Sequence, residues 1–379
     1  MININKFVNK QLYTIMRHFF ILVTTFILFS TTANAQERIV DASDQIPISA
    51  ASILDAAGNM VGFTLSDGTF SEIPETAYPV TISCVGYEQL TIERPERKTW
   101  EMTPMVYELD EVVIAPEDRN VMRQTLYARE YFSISSQSDT VTYFLEHIVD
   151  RFIPVSDNVR FRGSSSLRTL ASRCYLFYNV ADKDSVAKDP ESHFPSIISV
   201  LELSDEKITA PASFTSQADH TQVYEESGKY GVSLIQRQNG QTFTTVEDVL
   251  ADKKNHTLSP WALKPLGMSM DIRQLYTTNV YMVNEDGIYE PMDLIEASYV
   301  MEADGKGRLL RMLIDSDEPV RIHAMIEFYH VDRTFMSKER AKEEYRNKPT
   351  DVTIVVPPTA PALNAATQRL IQRANAEAR

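Results

Sequence analysis

Val80-Thr81-Ile82-Ser83-Cys84-Val85-Gly86-Tyr87 is the stretch from which the fold is read. Side chains alternate along it, so Val80, Ile82 and Cys84 share one face of a pleated ribbon and Thr81, Ser83 and Val85 the other. Gly86 stands where the strand ends and the backbone needs a conformation that suits glycine. Upstream, Ala51-Ser52-Ile53-Leu54 and Gly62-Phe63-Thr64-Leu65 are two more short runs. Asp67-Gly68 is a hairpin signal, because both residues tolerate positive φ, and Phe70 then returns to the apolar side. Leu90 and Ile92 open another alternation, and Leu109 to Ile114 is rich in β-branched residues. Roughly six or seven short strands within Asp41–Ile114 predict a small antiparallel β-sandwich.

The segments Pro47-Ile48 with Ala51 and Ile53, Gly62 to Phe70, Val80 to Tyr87 and Leu109 to Ile114 occur in an order that resembles the carboxypeptidase-regulatory-like domain. The resemblance covers Arg38–Ala115. It implies a seven-stranded immunoglobulin-like sandwich, of the kind common at the N-termini of outer-membrane proteins in some Gram-negative bacteria. Cys84 departs from the pattern, standing where the family usually has a larger apolar residue, and Glu93 to Thr103 is more polar than the family's norm.

Residues 1–35 carry Lys6, Lys10 and Arg17, no acidic residue, an apolar run from Phe19 to Phe29, and Ala33-Asn34-Ala35 at their end. A basic start, a short apolar middle and an Ala-x-Ala finish predict a secretory signal peptide cleaved after Ala35. The apolar run is too short for a stable bilayer span. No Cys follows the predicted cleavage point to take a lipid, and no later segment reads as transmembrane. The address expected is the periplasm or the outer membrane. Removing the leader leaves 34 basic residues against 52 acidic ones, a net of −18. That balance repels nucleic acid and anionic lipid and favours solubility. Two cysteines, Cys84 and Cys174, exclude a disulfide-rich scaffold. They can pair in an oxidising compartment or remain two buried thiols, and the β-like runs around both favour the second.

Beyond the sandwich, a boundary is expected near Ala115 to Arg119, followed by a helical stretch from Glu117 to about Phe132. Val141, Phe144, Leu145, Ile148 and Phe152 then recur at helical spacing, with Thr142, Glu146, His147, Asp150 and Arg151 opposite. This predicts an amphipathic helix capped at Asp139 and stopped by Pro154. From Arg160 to Asp332 the pattern is mainly strand: Arg173 to Val180, Ile197 to Leu203, a hairpin about Asn239-Gly240, and a meander through Val280 to Val283, Leu294 to Met301 and Leu309 to Ile314. Turns are expected at Asp286-Gly287 and Asp304-Gly305. In Val320 to Val331 the residues Val320, Ile322, Ala324, Ile326 and Phe328 oppose Arg321, His323, Met325, Glu327 and Tyr329. Ser337 caps a charged helix over Lys338–Arg346. Val352 to Val356 reads as a last strand, 357–361 as a proline-stiffened spacer, and Leu363 to Ala378 as a final helix. The fold class expected is therefore mainly β: the N-terminal sandwich over 38–115, a β-rich α+β domain over 119–356 built on an antiparallel meander with flanking helices, and the spacer and helix of 357–379.

Catalytic and metal motifs are missing from the sequence. None of the seven His has a Glu at the spacing a zinc carboxypeptidase needs. His147 with Asp150 is the nearest imitation and reads as a surface histidine. No His-Glu-x-x-His or Gly-x-Ser-x-Gly is present, and Gly163-Ser164-Ser165-Ser166 reads as a polar turn. His323 and His330 differ in parity, which places them on opposite faces. Glu111 to Ile114 looks like a Ton box, but fewer than 270 residues follow it, too few for a transporter barrel. Trp261, between Pro260 and Pro265, is the one aromatic marked for ligand stacking. No catalytic residue, cofactor or metal is assigned. The expected function is a non-enzymatic binding or scaffolding protein of the cell envelope, with an envelope protein or glycan as partner. A periplasmic carrier of lipid or another apolar ligand, built on a half-barrel, is the alternative, and a hydrolase with an unrecognised site comes third.

Overall fold

The computed structural model describes residues 37–377, apart from 97, 108–119, 156–158, 162–166, 181–182, 190–195, 197, 199–202, 204–206, 215–221, 228–232, 251–255, 258–267, 315 and 317. Ala35, the Leu109–Ile114 strand, the Gly163–Ser166 turn and Trp261 lie outside the described residues.

The first part of the chain forms β1 (Arg38–Asp41), β2 (Ser52–Leu54), β3 (Met60–Phe63), β4 (Val80–Ser83), β5 (Leu90–Ile92) and β6 (Thr99–Met102). One sheet runs in the order β3-β2-β4-β5, and β1 pairs with β6 in a second. Ile39 and Met102 of the pair meet Ile53, Val80, Ile82, Cys84 and Ile92 in a shared core, which makes the unit a two-layered β-domain. The alternation along β4 holds: Val80, Ile82 and Cys84 fill this core, while Ser83 and Val85 face away from it.

Gly68 closes the turn predicted at Asp67-Gly68, with φ +76°. A Cβ there would lie 2.4 Å from the Ile39 carbonyl oxygen, whose strand receives support from Gly68 through the Ile39 N–H. Gly68→Ala is expected to cost about 2–4 kcal/mol, combining left-handed strain with a clash against fixed backbone, as measured by the urea midpoint.

The rest of the chain builds a wide antiparallel sheet. Its strands are β7 (Val121–Ser135), β8 (Thr140–Pro154), β9 (Arg168–Val180), β10 (Lys183–Asp189), β12 (Gln222–Ser227), β13 (Ser233–Gln238), β14 (Thr242–Asp248), β15 (His256–Thr257), β16 (Met268–Met282), β18 (Leu294–Gly307) and β19 (Val320–Met336). A separate pair joins β11 (Ile208–Thr209) to β17 (Ile288–Tyr289). The order in the large sheet is β10-β9-β8-β7-β19-β18-β16-β14-β13-β12, with β15 beside β16. Its last strand therefore returns to pair with its first, from Arg321 opposite Ser135 to Met336 opposite Val121. Helices α1 (Arg308–Leu313), α2 (Lys338–Arg346) and α3 (Ala365–Glu377) flank it. None of the helices among the described residues is long and apolar enough to cross a membrane.

Several expectations are corrected. The two helices expected over 117–132 and 141–152 are the long strands β7 and β8, joined by a tight turn at Ser136–Asp139. In β8 the residues Thr142, Phe144, Glu146 and Ile148 face one side and Val141, Tyr143, Leu145, His147 and Val149 the other, and all nine are buried. A strand covered on both faces has no reason to alternate apolar with polar, so the helical spacing of its apolar residues is fortuitous. Asp304-Gly305 is not a turn but the continuation of β18, and Leu309 to Ile314 starts within helix α1 and not a strand. A Cβ on Gly305 would lie 2.6 Å from Ile322 Cδ1 and 2.7 Å from Leu310 Cδ1, so glycine there makes room for packing. Val352 to Val356 is not a strand and joins no ladder among the described residues; Val352 and Ile354 pack inward while Val355 and Val356 are exposed.

Other readings hold. Ser337 caps α2, accepting from the Arg340 N–H at 3.2 Å. Asn239 organises the β13–β14 hairpin by accepting from the Thr242 N–H at 2.7 Å. Arg168 donates to the carbonyls of Glu344 and Tyr345, which the end of α2 leaves open.

Candidate functional site

The β-domain lies against one face of the large sheet and reaches from β8 to β13. Six strand spacings separate those two strands, about 29 Å. Apolar contact comes first. Ala50, Leu54, Met60 and Phe63 share one buried cluster with Tyr131, Phe144, Tyr175, Phe177, Tyr276, Val300 and Met325 of the sheet and with Ala374 of α3. Phe63 stands edge-on to Tyr276 with ring centroids 5.7 Å apart.

Charged and polar groups then fix the register of this contact. Met60 donates its N–H to Ser133 Oγ at 2.8 Å, and Thr142 Oγ1 donates to Asn59 Oδ1 at 2.6 Å. On β19, Glu327 accepts from Ser83 Oγ at 2.9 Å and from Arg129 Nε of β7 at 2.9 Å. Arg129 continues to Tyr329 Oη at 2.9 Å and to the Pro361 carbonyl at 2.8 Å. One guanidinium thus ties together two strands and the C-terminal segment, with the β-domain linked through Glu327. Both Arg129 and Glu327 are 1% exposed. On β18, Glu296 accepts the Gly86 N–H at 2.8 Å. At the far side, Arg237 of β13 binds Asp41 and Asp44 and donates to the Tyr87 hydroxyl.

Electrostatics follow from this burial. Burial pushes the Glu296 carboxyl up to about 8; the Gly86 amide and the Tyr107 hydroxyl pull against that shift, and neighbouring Glu327 adds to it. Cys84, between the two glutamate contacts, is raised to about 12 by burial and by Glu327 and Glu296, so its thiol stays protonated. Burial alone would raise Asp41, but the Ser43 hydroxyl and Arg237 outweigh it and hold the carboxylate below its usual range.

The opposite face of the sheet holds a second polar group. His147, expected as a solvated surface histidine, is 1% exposed, with Nε2 3.3 Å from Glu130 Oε1. Ser196 Oγ donates to the same carboxylate. The carboxylate stands between hydroxyl and imidazole, whereas in a hydrolytic triad the imidazole stands between hydroxyl and carboxylate. Among the described residues no group of three or more His, Cys, Asp and Glu is placed to hold a metal. His323 and His330 lie on one unbroken stretch of ladder, on opposite faces as their parity requires. Cys84 and Cys174 are both buried and belong to separate cores, with no disulfide between them.

Sequence reasoning missed Arg129, Glu296 and Arg237, and placed Glu327 only on the face of its strand opposite the aliphatic residues, with no role. The signal was a charged residue set inside an apolar run, as in Ile295-Glu296-Ala297 and Ile326-Glu327-Phe328. Such a residue is either on a solvated face or paired inside, and only the covering domain decides between them.

No family model matches the sequence, and no curated protein matches it. Among solved structures, the chain is similar to lipovitellin in a structure concerned with its lipid–protein interactions, at 10% identity and a TM-score of 0.30, over 58% of this chain and 26% of that one.

Proposed function

We propose that this chain is an exported, non-enzymatic binding or scaffolding protein of the bacterial cell envelope, whose first domain is of the carboxypeptidase-regulatory-like kind. One observation carries the reading. The buried charges across the sheet face are spent on joining the chain's own parts, through Arg129 with Glu327, Tyr329 and Pro361 and through Arg237 with Asp41 and Asp44. β-domain, sheet and C-terminal segment are thereby held as one body that offers its outer surface to a partner. The predicted leader and the acidic balance support export and argue against nucleic acid.

Fractionation of cells followed by N-terminal sequencing tests the address: the mature chain is expected in the envelope or periplasm, beginning at Gln36. Crosslinking from envelope fractions is expected to capture a protein or glycan partner. A chain found in the cytoplasm with its leader intact, or a peptidase activity abolished by chelators, removes the proposal.

A carrier of apolar molecules is the second reading. It is favoured by the aromatic and aliphatic side chains of Tyr131, Phe144, Tyr175, Tyr276 and Met325, which the β-domain and α3 cover. Native mass spectrometry of the purified chain distinguishes the two, since a carrier retains lipid and a scaffold does not.

A further inference from the structure

We propose that Glu296 and Glu327 form a proton-sensitive latch, which keeps the β-domain seated on the sheet while Glu296 is protonated and loosens it as Glu296 ionises. The two carboxyls sit on adjacent strands and face the same side, since Glu296 is opposite Tyr329 and Ser298 is opposite Glu327. Both grip one turn of the β-domain: Ser83 Oγ donates to Glu327, and the Gly86 N–H donates to Glu296.

Their surroundings are unequal. Glu327 has the Arg129 guanidinium at 2.9 Å and keeps its charge neutralised. Among the described residues Glu296 receives the backbone N–H of Gly86 and the influence of the Tyr107 hydroxyl, and its Oε1 is buried without a hydrogen bond. The other groups that bear on it are Glu327, which opposes its ionisation, and Arg129, which favours it; Tyr329, on the paired strand, is held by Arg129, and the Cys84 thiol stays neutral. A second negative charge in this buried seam, beside Glu327, is costly.

The direction follows from linkage. With the β-domain lifted, Glu296 meets water and titrates near its ordinary 4.5, whereas in the docked state it titrates at about 8. Below the lower value both states carry the proton and pH has no effect on docking. Between the two values the docked state holds a proton the lifted state has released, so docking weakens as pH rises. Above the higher value both are ionised and the loss levels off.

The Gly86 amide is a direct reporter, because it exchanges only when its bond to Glu296 opens. Hydrogen–deuterium exchange of the full chain, corrected for the intrinsic pH dependence, would follow a peptide spanning the 83–87 turn. In the wild type, protection is expected to fall about tenfold per pH unit from pH 5 to 8 and to level off above. In Glu296→Gln the profile is expected to be flat. Tyr107→Phe, which removes a group favouring the ionised form, is expected to move the levelling point to higher pH and carries the test should the glutamine variant fail to fold. A flat wild-type profile, a slope retained in Glu296→Gln, or an unmoved levelling point in Tyr107→Phe overturns the latch.

Discussion

Arg129→Met is expected to lower the stability of the folded chain by about 3–5 kcal/mol, read from the urea midpoint at constant slope. The side chain is buried, and its loss leaves Glu327 inside the protein with no cation beside it. Tyr329 Oη and the Pro361 carbonyl lose their donor in the same step. The loss should therefore spread beyond the sheet. Faster proteolysis is expected at 352–361, because the Arg129 bond to the Pro361 carbonyl adds to the packing of Val352, Ile354 and Ala360 in holding this segment to the β-strands. The double variant Arg129→Met, Glu327→Met separates pair from packing: replacing both charges by apolar volume should restore more than half of the loss, since the penalty is chiefly the unpaired carboxylate. If the single variant is within about 0.5 kcal/mol of wild type, Arg129 is not buried against Glu327 and the docked arrangement is wrong.

What was legible in the sequence follows from where each strand lies. The short strands of the β-domain announce themselves because one face is core and turns such as Asp67-Gly68 punctuate them. Val320 to Phe328 was readable for a similar reason, its even-numbered members all being aliphatic, alanine or aromatic. The opposite face of that strand was readable as a face, but what covers it was not: Glu327 meets Ser83 of the β-domain and Tyr329 packs with Val352, Ile354 and Ala360 of the C-terminal segment. Nothing local to Ile326-Glu327-Phe328 records a domain more than two hundred residues upstream in the chain, with Ser83 and Glu327 separated by 244 positions. The docking charges were invisible for the same reason. Each becomes a site only through a partner distant in sequence, as Arg237 does through Asp41 and Glu296 through Gly86.

The sharpest misreading concerns residues 140–154, and it yields the second large prediction. Phe144→Ala is expected to cost about 3–5 kcal/mol, because the ring is fully buried, 4.8 Å from Tyr131 and 6.4 Å from Tyr175. A helix docked on a core would lose a similar amount at that position, so Phe144 alone does not separate strand from helix. Glu146 does. On the amphipathic helix it would belong to the solvated face, where truncation is worth under about 0.5 kcal/mol. In the strand it is 2% exposed, accepts from Tyr127 Oη at 2.7 Å and binds Arg173. Glu146→Ala strips a buried hydroxyl of its acceptor and should cost about 2–3 kcal/mol. Phe144 and Glu146 lie on one face of β8, two residues apart, so the pair of variants measures the period directly. Large losses at both positions require a strand covered by the β-domain and the C-terminal segment, whereas a neutral Glu146→Ala restores the helix.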